Sequence, residues 1–81
     1  MKANIVSLEG VTYQDEAISF TVMTTDGEIT ILNNHRPLLT VLATGIARLK
    51  KSSGEQITFA HTGGFLEYDR DNTLTVLIDK K

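Results

Sequence analysis

One stretch of the chain decides the fold, AISFTVMTTDGEITI at positions 17–31. Its first half alternates between apolar and polar side chains, with Ile18, Phe20 and Val22 at every second position and Ser19 and Thr21 between them. Successive side chains of a β-strand point to opposite faces of the sheet, so this alternation predicts a half-buried strand. We expect Ile18, Phe20 and Val22 to share its buried face.

The second half of the stretch predicts a hairpin. Asp26-Gly27 is a strong signal for a tight turn between two antiparallel strands. After it, Ile29 and Ile31 alternate with Glu28 and Thr30, which continues the period of two in a second strand. Two strands joined at Asp26-Gly27 are therefore the best-determined local structure of the sequence.

The rest of the chain repeats short β-prone runs between turn residues, a pattern typical of a β-sandwich or barrel. We predict an all-β fold, a small antiparallel β-sandwich or flattened barrel, formed by a single domain over residues 1–81. Further strands are expected at residues 4–8, 11–13, 46–50, 56–60, 65–68 and 73–78, with turns at Glu9-Gly10, Ser52–Gly54 and Asp69–Asn72.

Residues 37–51 leave two structures open. Apolar residues at 38, 42, 46 and 49 fit one face of a helix, with Pro37 at its first position. Against the helix stand Gly45 and a high content of β-branched residues. The pattern favours a strand, a turn at Thr44-Gly45 and a second strand.

Composition and charge exclude several classes of function. The chain has no cysteine, which excludes disulfides, thiolate nucleophiles and cysteine-ligated zinc. It carries no apolar run of about 18 residues, so we expect a soluble chain without direct membrane insertion. The net charge is −2, and the basic clusters at 48–51 and 80–81 are interpreted as solvated strand ends, not as a nucleic-acid site.

The sequence contains no recognisable catalytic or metal-binding constellation. His35 and His61 lack further ligands at metal-binding spacing, and no serine lies in a Gly-x-Ser-x-Gly motif. Gly63-Gly64 lacks the spacing of a phosphate loop and indicates a positive φ or a close backbone approach. Asp69–Asn72 is interpreted as a plain turn, because the glycine and glutamate of a calcium loop are missing. The function is therefore expected to lie in surfaces.

Two stretches resemble the epsilon subunit of rotary ATP synthases. The first is DGEITILNNHRPLLTVLATG at positions 26–45, which includes the uncommon His-x-Pro-Leu-Leu-Thr. The second is TGGFLEY at 62–68, followed by Asn72 and by LTVL at 74–77. Val6-Ser7-Leu8-Glu9 and Tyr13 are similar to the family's opening strands, so the resemblance covers nearly the whole chain in one register.

The chain departs from the family pattern at several positions. Thr30 stands where the family usually has glycine, Asn33-Asn34 replaces Pro-Gly, Arg36 replaces a small residue, and Asp15 replaces a turn glycine. Typical members also continue into a two-helix C-terminal domain, whereas this sequence stops at Lys81. Either the sequence is cut from a longer protein or it is a natural short form without a C-terminal helical hairpin, and we favour the natural short form.

The resemblance implies a ten-stranded β-sandwich that acts as a non-catalytic rotor subunit and couples the gamma subunit to the c-ring. It implies peripheral attachment at the cytoplasmic face of the bacterial membrane, with no cofactor and no bound ATP. A free-standing β-barrel module that binds an oligonucleotide or another ligand is the alternative, and nothing supports a small enzyme.

By resemblance, the contacts with both partners can be assigned to residues. Contact with the c-ring is expected at Asp26, Gly27 and Glu28, contact with gamma at Ser7, His35, Arg36, Leu38 and Leu39, and structural turns at Gly45, Gly63 and Gly64. Strand alternation adds that one of Leu38 and Leu39 should lie outside the core.

Overall fold

The computed structural model describes residues 1–7 and 10–79, with the main chain alone at Val11. These residues form eight β-strands and no helix, which confirms the all-β prediction. Part of the predicted Glu9-Gly10 turn and the whole Lys80-Lys81 cluster lie outside the described residues. The strands are β1 (Lys2–Ser7), β2 (Gly10–Thr24), β3 (Gly27–Leu32), β4 (Leu38–Leu42), β5 (Gly45–Lys51), β6 (Gln56–His61), β7 (Gly63–Tyr68) and β8 (Thr73–Asp79).

The eight strands form one hydrogen-bonded sheet, and the long strand β2 takes part in both of its layers, here called the first and the second sheet, which enclose one core. Its first half pairs with β1, and the order β1-β8-β7-β4 completes the first sheet, which returns to β2 at Thr24 opposite Leu42. Its second half lies between β3 and β5, and β6 extends this second sheet. All pairings are antiparallel except that of β1 with β8.

Two of the expected short strands are continuous in β2. Residues 11–13 and 17–24 form a single strand, and Asp15 pairs with Ala3 instead of making a turn. This continuity is one reason why the described residues contain eight strands and not the ten that the resemblance implies.

Ile18 does not lie on the face of β2 that the sequence predicts. Ala17 pairs with Lys51 and Ser19 with Lys50, so Ile18 is an extra residue in the ladder, a β-bulge. Ala17 takes the inward position, and Ile18 is 37% exposed. The prediction that Ile18 shares the buried face of Phe20 and Val22 is wrong, because an inserted residue shifts a period of two to the other face.

Residues 37–51 form a strand, a turn and a strand, and the helical alternative is wrong. β4 and β5 are separated by Ala43 and Thr44, and Gly45 begins β5. Each pairs with a different neighbour, β4 with β7 and β5 with β6. Cross-strand packing on two sheets therefore outweighs the helical spacing of the leucines.

Register through the first sheet sets the core. Rows of paired residues cross it from β4 through β7 and β8 to β1, beginning at each residue from Leu38 to Leu42. The rows that begin at Leu38, Thr40 and Leu42 face inward and pack against the inner residues of β2, β3 and β5. The core side chains are Met1, Ala3, Ile5, Ala17, Phe20, Val22, Ile31, Leu42, Ala47, Leu49, Leu66, Tyr68, Leu74, Val76 and Ile78.

The two ends of the sandwich differ in composition. One end, here called the hairpin end, carries the β2–β3 turn, the β4–β5 turn and the residues at 61–64 and 78–79. The other, the asparagine end, carries Asn33, Asn34 and Asn72 close to the amino group of Met1. Ser7 lies at the hairpin end, in the row of Leu42, Gly64 and Ile78.

Candidate interaction surfaces

An apolar row crosses the outer face of the first sheet. Val41 pairs with Phe65, Phe65 with Leu77, and Leu77 with Val6. Phe65 is 55% exposed, and Val41 and Leu77 are nearly half exposed. Leu39 stands two residues before Val41 on β4 and is 73% exposed. These five residues are called the apolar face.

The apolar face is an ordered surface. Adjacent strands lie about 4.8 Å apart, so four neighbouring residues in a row span roughly 14 Å. The next outward row is mostly polar, with Glu67, Thr75 and Asn4 beside Leu39. A contiguous exposed apolar patch with a polar border is characteristic of an interaction site.

Leu38 and Leu39 point to opposite faces of β4. Leu38 is partly buried and packs against the core, whereas Leu39 belongs to the apolar face. The prediction that one of the two lies outside the core is confirmed. Arg36 is exposed in the loop that enters β4, close to Leu39 along the chain.

The other residues expected at a gamma contact do not form one patch with Leu39. His35 is half-buried at the asparagine end, packed edge-on against Tyr68 with ring centroids 5.7 Å apart. Its Nδ1 donates to the carbonyl oxygen of Arg36 at 2.7 Å. Ser7 is buried at the hairpin end, and its hydroxyl donates to the Gly10 carbonyl at 3.4 Å.

The predicted c-ring residues lie at the tip of the β2–β3 hairpin. Asp26 and Glu28 are exposed, and Gly27 has a φ of 117°. The buried Thr24 hydroxyl accepts from the Asp26 amide at 3.0 Å and donates to the Gly27 carbonyl at 2.7 Å, which orders the turn. Glu28 lies 3.6 Å from Arg48 on β5.

The three glycines expected at turns lie instead in strands at the hairpin end. Gly64 has a φ of 133°, and a Cβ there would lie 2.0 Å from the Leu77 carbonyl oxygen. A Cβ on Gly45 would lie 2.6 Å from the Met23 Cβ. At Gly63 the nearest atoms would be at 3.7 Å, an ordinary contact. Close backbone approach explains Gly64 and Gly45 only.

A hydrogen-bond network joins three segments at the asparagine end. The buried Tyr68 hydroxyl donates to the Asn72 side-chain oxygen and accepts from the Asn34 amide at 3.1 Å. Asn34 and Asn72 both have positive φ, at 63° and 56°. The Asn33 side chain accepts from the amino group of Met1. The loop before β4, the β7–β8 turn and the start of β1 are thus fixed together.

The described residues offer no metal cluster, since no three of their His, Asp and Glu side chains converge. Residues 1–7 and 10–79 also contain no helix long and apolar enough to cross a membrane. In the basic cluster at 48–51, Arg48 is paired with Glu28, and Lys51 lies 3.3 Å from Glu55. The apolar face and the hairpin tip are therefore the candidate interaction surfaces of the described residues.

Residues 1–80 match the family described as ATP synthase, Delta/Epsilon chain, beta-sandwich domain. The chain belongs to this family.

Curated relatives of the family are longer than this chain. The ATP synthase epsilon chain of Desulforudis audaxviator is 42% identical over 76 residues, which cover 94% of this chain and 54% of the relative. The epsilon chain of Pediococcus pentosaceus is 36% identical over 80 residues, with 98% and 56% covered. The chain thus spans little more than half of these relatives.

Two solved structures share the fold at lower sequence identity. A chain of the Euglena gracilis mitochondrial ATP synthase superimposes with a TM-score of 0.90 at 19% identity, covering 96% of this chain and 49% of that one. A chain of the Tetrahymena thermophila mitochondrial ATP synthase central stalk and c-ring gives 0.82 at 22% identity, with 99% and 63% covered.

Sequence reasoning about this family member missed two structural elements. The first is the hydroxyl of Thr24, which orders the hairpin turn. In the sequence Thr24 is simply the last residue of a predicted strand, but a threonine directly before a turn can hydrogen-bond to the backbone of that turn, and this signal was available. The contact of Tyr68 with Asn34 had no such signal, because 34 positions separate them in the chain.

Proposed function

We propose that the chain is a non-catalytic epsilon subunit in the central stalk of a rotary ATP synthase, where it couples the gamma subunit to the c-ring. The observation that carries this proposal is the position of two surfaces, an apolar side and a polar hairpin tip, that adjoin at one corner of the domain. Membership of the beta-sandwich family supplies the assembly in which such surfaces find partners.

The apolar face is the proposed contact with gamma. An interface needs an apolar centre and a polar border, and Phe65, Val41 and Leu77 supply the first. Leu39 extends the centre, and Arg36 adds an exposed guanidinium of the kind enriched at binding hot spots. We therefore shift the proposed gamma site towards the middle of the first sheet, with His35 at its edge and Ser7 beneath the far end.

The hairpin tip is the proposed contact with the c-ring. The family resemblance gives the polar loops of the c subunits basic residues, and Asp26 and Glu28 would face them with carboxylates. Arg48 already neutralises part of the charge of Glu28, which leaves Asp26 as the stronger electrostatic contact. Exposed ion pairs contribute only about 0–1 kcal/mol, so this contact serves orientation more than affinity.

Backbone hydrogen bonds connect the two surfaces where the end of β4 meets the hairpin. The amide of Thr25 in the hairpin turn donates to the carbonyl of Val41 at 3.1 Å, and Thr24 pairs with Leu42. A partner along the side and a partner below the end would therefore touch each other at this corner. A central stalk that rises from a ring would place one partner at the side and one at the end of the domain in this way. Rotation would then apply force to both contacts at the same time.

The proposal assigns no chemistry and no cofactor to the chain, and it includes no nucleic acid among the partners. It locates the chain at the cytoplasmic face of the bacterial membrane, held there by the other subunits. The pairing of Arg48 and Lys51 with carboxylates weakens the nucleic-acid alternative, since a basic groove is what such a module needs.

Single-cysteine crosslinking in the assembled enzyme tests the proposal, because the chain has no native cysteine. Cysteine at position 26 should crosslink to cysteines in the c-subunit loops, and cysteine at position 71, in the β7–β8 turn at the asparagine end, should not. Co-purification of the tagged chain with gamma from membranes is expected in parallel. Recovery of the chain only from the soluble fraction, free of gamma, contradicts the proposal.

A further inference from the structure

His61 is a buried imidazole without hydrogen-bond partners. It ends β6, is 1% exposed, and pairs with Gly45 across the second sheet. Its Nε2 lies 3.7 Å from the position that a Cβ on Gly45 would occupy, an ordinary contact distance, so the ring packs against the start of β5. Neither ring nitrogen reaches hydrogen-bonding geometry with a described group.

His61 lies where several segments of the hairpin end come together. Close to it, the Ala43 amide donates to the Met23 carbonyl at 3.0 Å, which ties the β4–β5 turn to the hairpin. The next residue, Thr62, donates its amide to the Asp79 carbonyl at 2.9 Å, which ties β6 to β8. Displacement of the ring would disturb both connections.

A protonated His61 would find no counter-charge in this position. The charged groups of the surrounding elements are Asp26 and Glu28 on the hairpin, Arg48, Lys50 and Lys51 on β5, Glu67 on β7 and Asp79 on β8, and all are exposed except the half-buried Lys51. β4 carries no charged residue. Burial lowers the pKa of His61 below its ordinary value; the main chain of Ala43 lies near the ring but outside hydrogen-bonding geometry, and it opposes this shift without reversing it.

We propose that His61 is a pH-sensitive latch, whose protonation opens the hairpin end of the sandwich while the asparagine end stays closed. The inference goes beyond the proposed function and concerns the chain alone.

The sign of the effect follows from proton binding. The open end binds a proton on His61 at the ordinary histidine pKa, and the closed end binds it only at a lower pH. Stability of the closed end is therefore complete above the ordinary value and is lost as the pH falls below it. The half-buried His35 makes its contacts at the asparagine end, so it provides an internal control.

Amide hydrogen exchange of the chain measured across a pH series tests the latch. Protection factors, corrected for the intrinsic exchange rate, should fall by up to about tenfold per pH unit below about 6.5 at the Ala43 and Thr62 amides. The amides of Lys2 and Asp69, which are hydrogen-bonded at the asparagine end, should keep their protection.

Two variants make the result specific. His61→Leu should abolish the pH dependence at Ala43 and Thr62, and the matched control His35→Gln should retain it. If His61→Leu does not fold, the NMR titration of the His61 ring in the unaltered chain decides, because it should coincide with the loss of protection. A ring that titrates with full protection retained, or equal loss at both ends, overturns the proposal.

Discussion

Val41 and Phe65 lie directly opposite each other on β4 and β7, and both side chains point away from the core. An aromatic and a β-branched residue in this relationship stabilise a sheet by about 0.2–1 kcal/mol. That small contribution does not account for leaving both about half exposed. The pair belongs to the apolar face, which we propose is covered by gamma.

The apolar face can be tested at its centre by Phe65→Asp. Because Phe65 is 55% exposed, the variant should remain folded, with a loss in the free energy of unfolding of about 1 kcal/mol or less. Binding to gamma should fall by about thirtyfold or more, since a hot-spot residue contributes about 2 kcal/mol or more. Titration calorimetry with purified gamma measures the affinity. Thr58→Asp, on the exposed side of β6, is the matched control and should bind normally.

The neighbouring leucines separate folding from binding. Leu39→Asp should leave the urea midpoint nearly unchanged and abolish gamma binding, because its side chain is outside the core. Leu38→Asp should lower the free energy of unfolding by about 2 kcal/mol or more, because it puts a charge against the core. Equal destabilisation by both variants, or normal gamma binding by Leu39→Asp, would show that the apolar face is not the contact with gamma.

The adjacent glycines should respond differently to a methyl group. Gly64→Ala places its Cβ on the Leu77 carbonyl at a positive φ, and we expect a loss of about 2 kcal/mol or more, or failure to fold. Gly63→Ala meets only ordinary contacts and should change the free energy of unfolding by less than about 1 kcal/mol. Urea denaturation followed by circular dichroism measures both. A tolerated Gly64→Ala would mean that β7 and β8 can separate more easily than their register suggests.

The two tyrosines form a second matched pair. Tyr68→Phe removes the buried hydroxyl that bonds the Asn34 amide and the Asn72 side chain, and because that amide keeps its bond to the Asn72 oxygen, the cost should be about 0.5–1.5 kcal/mol. In Tyr13→Phe the lost bond, from the hydroxyl to the Glu16 carbonyl, is exposed to water, and the cost should be below about 0.5 kcal/mol. Thermal unfolding of both variants gives the comparison. Similar melting temperatures would show that the hydrogen-bond network at the asparagine end does not stabilise the fold.

Residue patterning predicted the architecture wherever it depends on the period of two. The β2–β3 hairpin, the strand-turn-strand at 37–51 and the opposite facing of Leu38 and Leu39 all follow from alternation and turn chemistry, although the hairpin turn lies at Thr25-Asp26, one residue before the predicted Asp26-Gly27. Ile18 does not follow, because a bulge adds one residue without any change in composition.

The candidate surfaces were harder to predict than the fold. The apolar face depends on the register of four strands, which brings together Val6, Val41, Phe65 and Leu77 from distant parts of the sequence. The alternation within each strand identifies each of them as an outward residue. It does not predict that the strand register places all four in one row across the sheet. His61 stands out as a lone histidine in the sequence, and only the closed sandwich reveals that it is buried without partners.

The parallel pairing of β1 with β8 has a consequence for synthesis on the ribosome. β1 is made first of the described strands, and it can pair with β2 soon after both emerge. Its other edge must wait for Thr73–Asp79, the last strand made. Long-range pairing of this kind raises contact order and slows folding. The nascent domain therefore carries an open sheet edge until β8 has been made, and it can close only when β8 has left the exit tunnel.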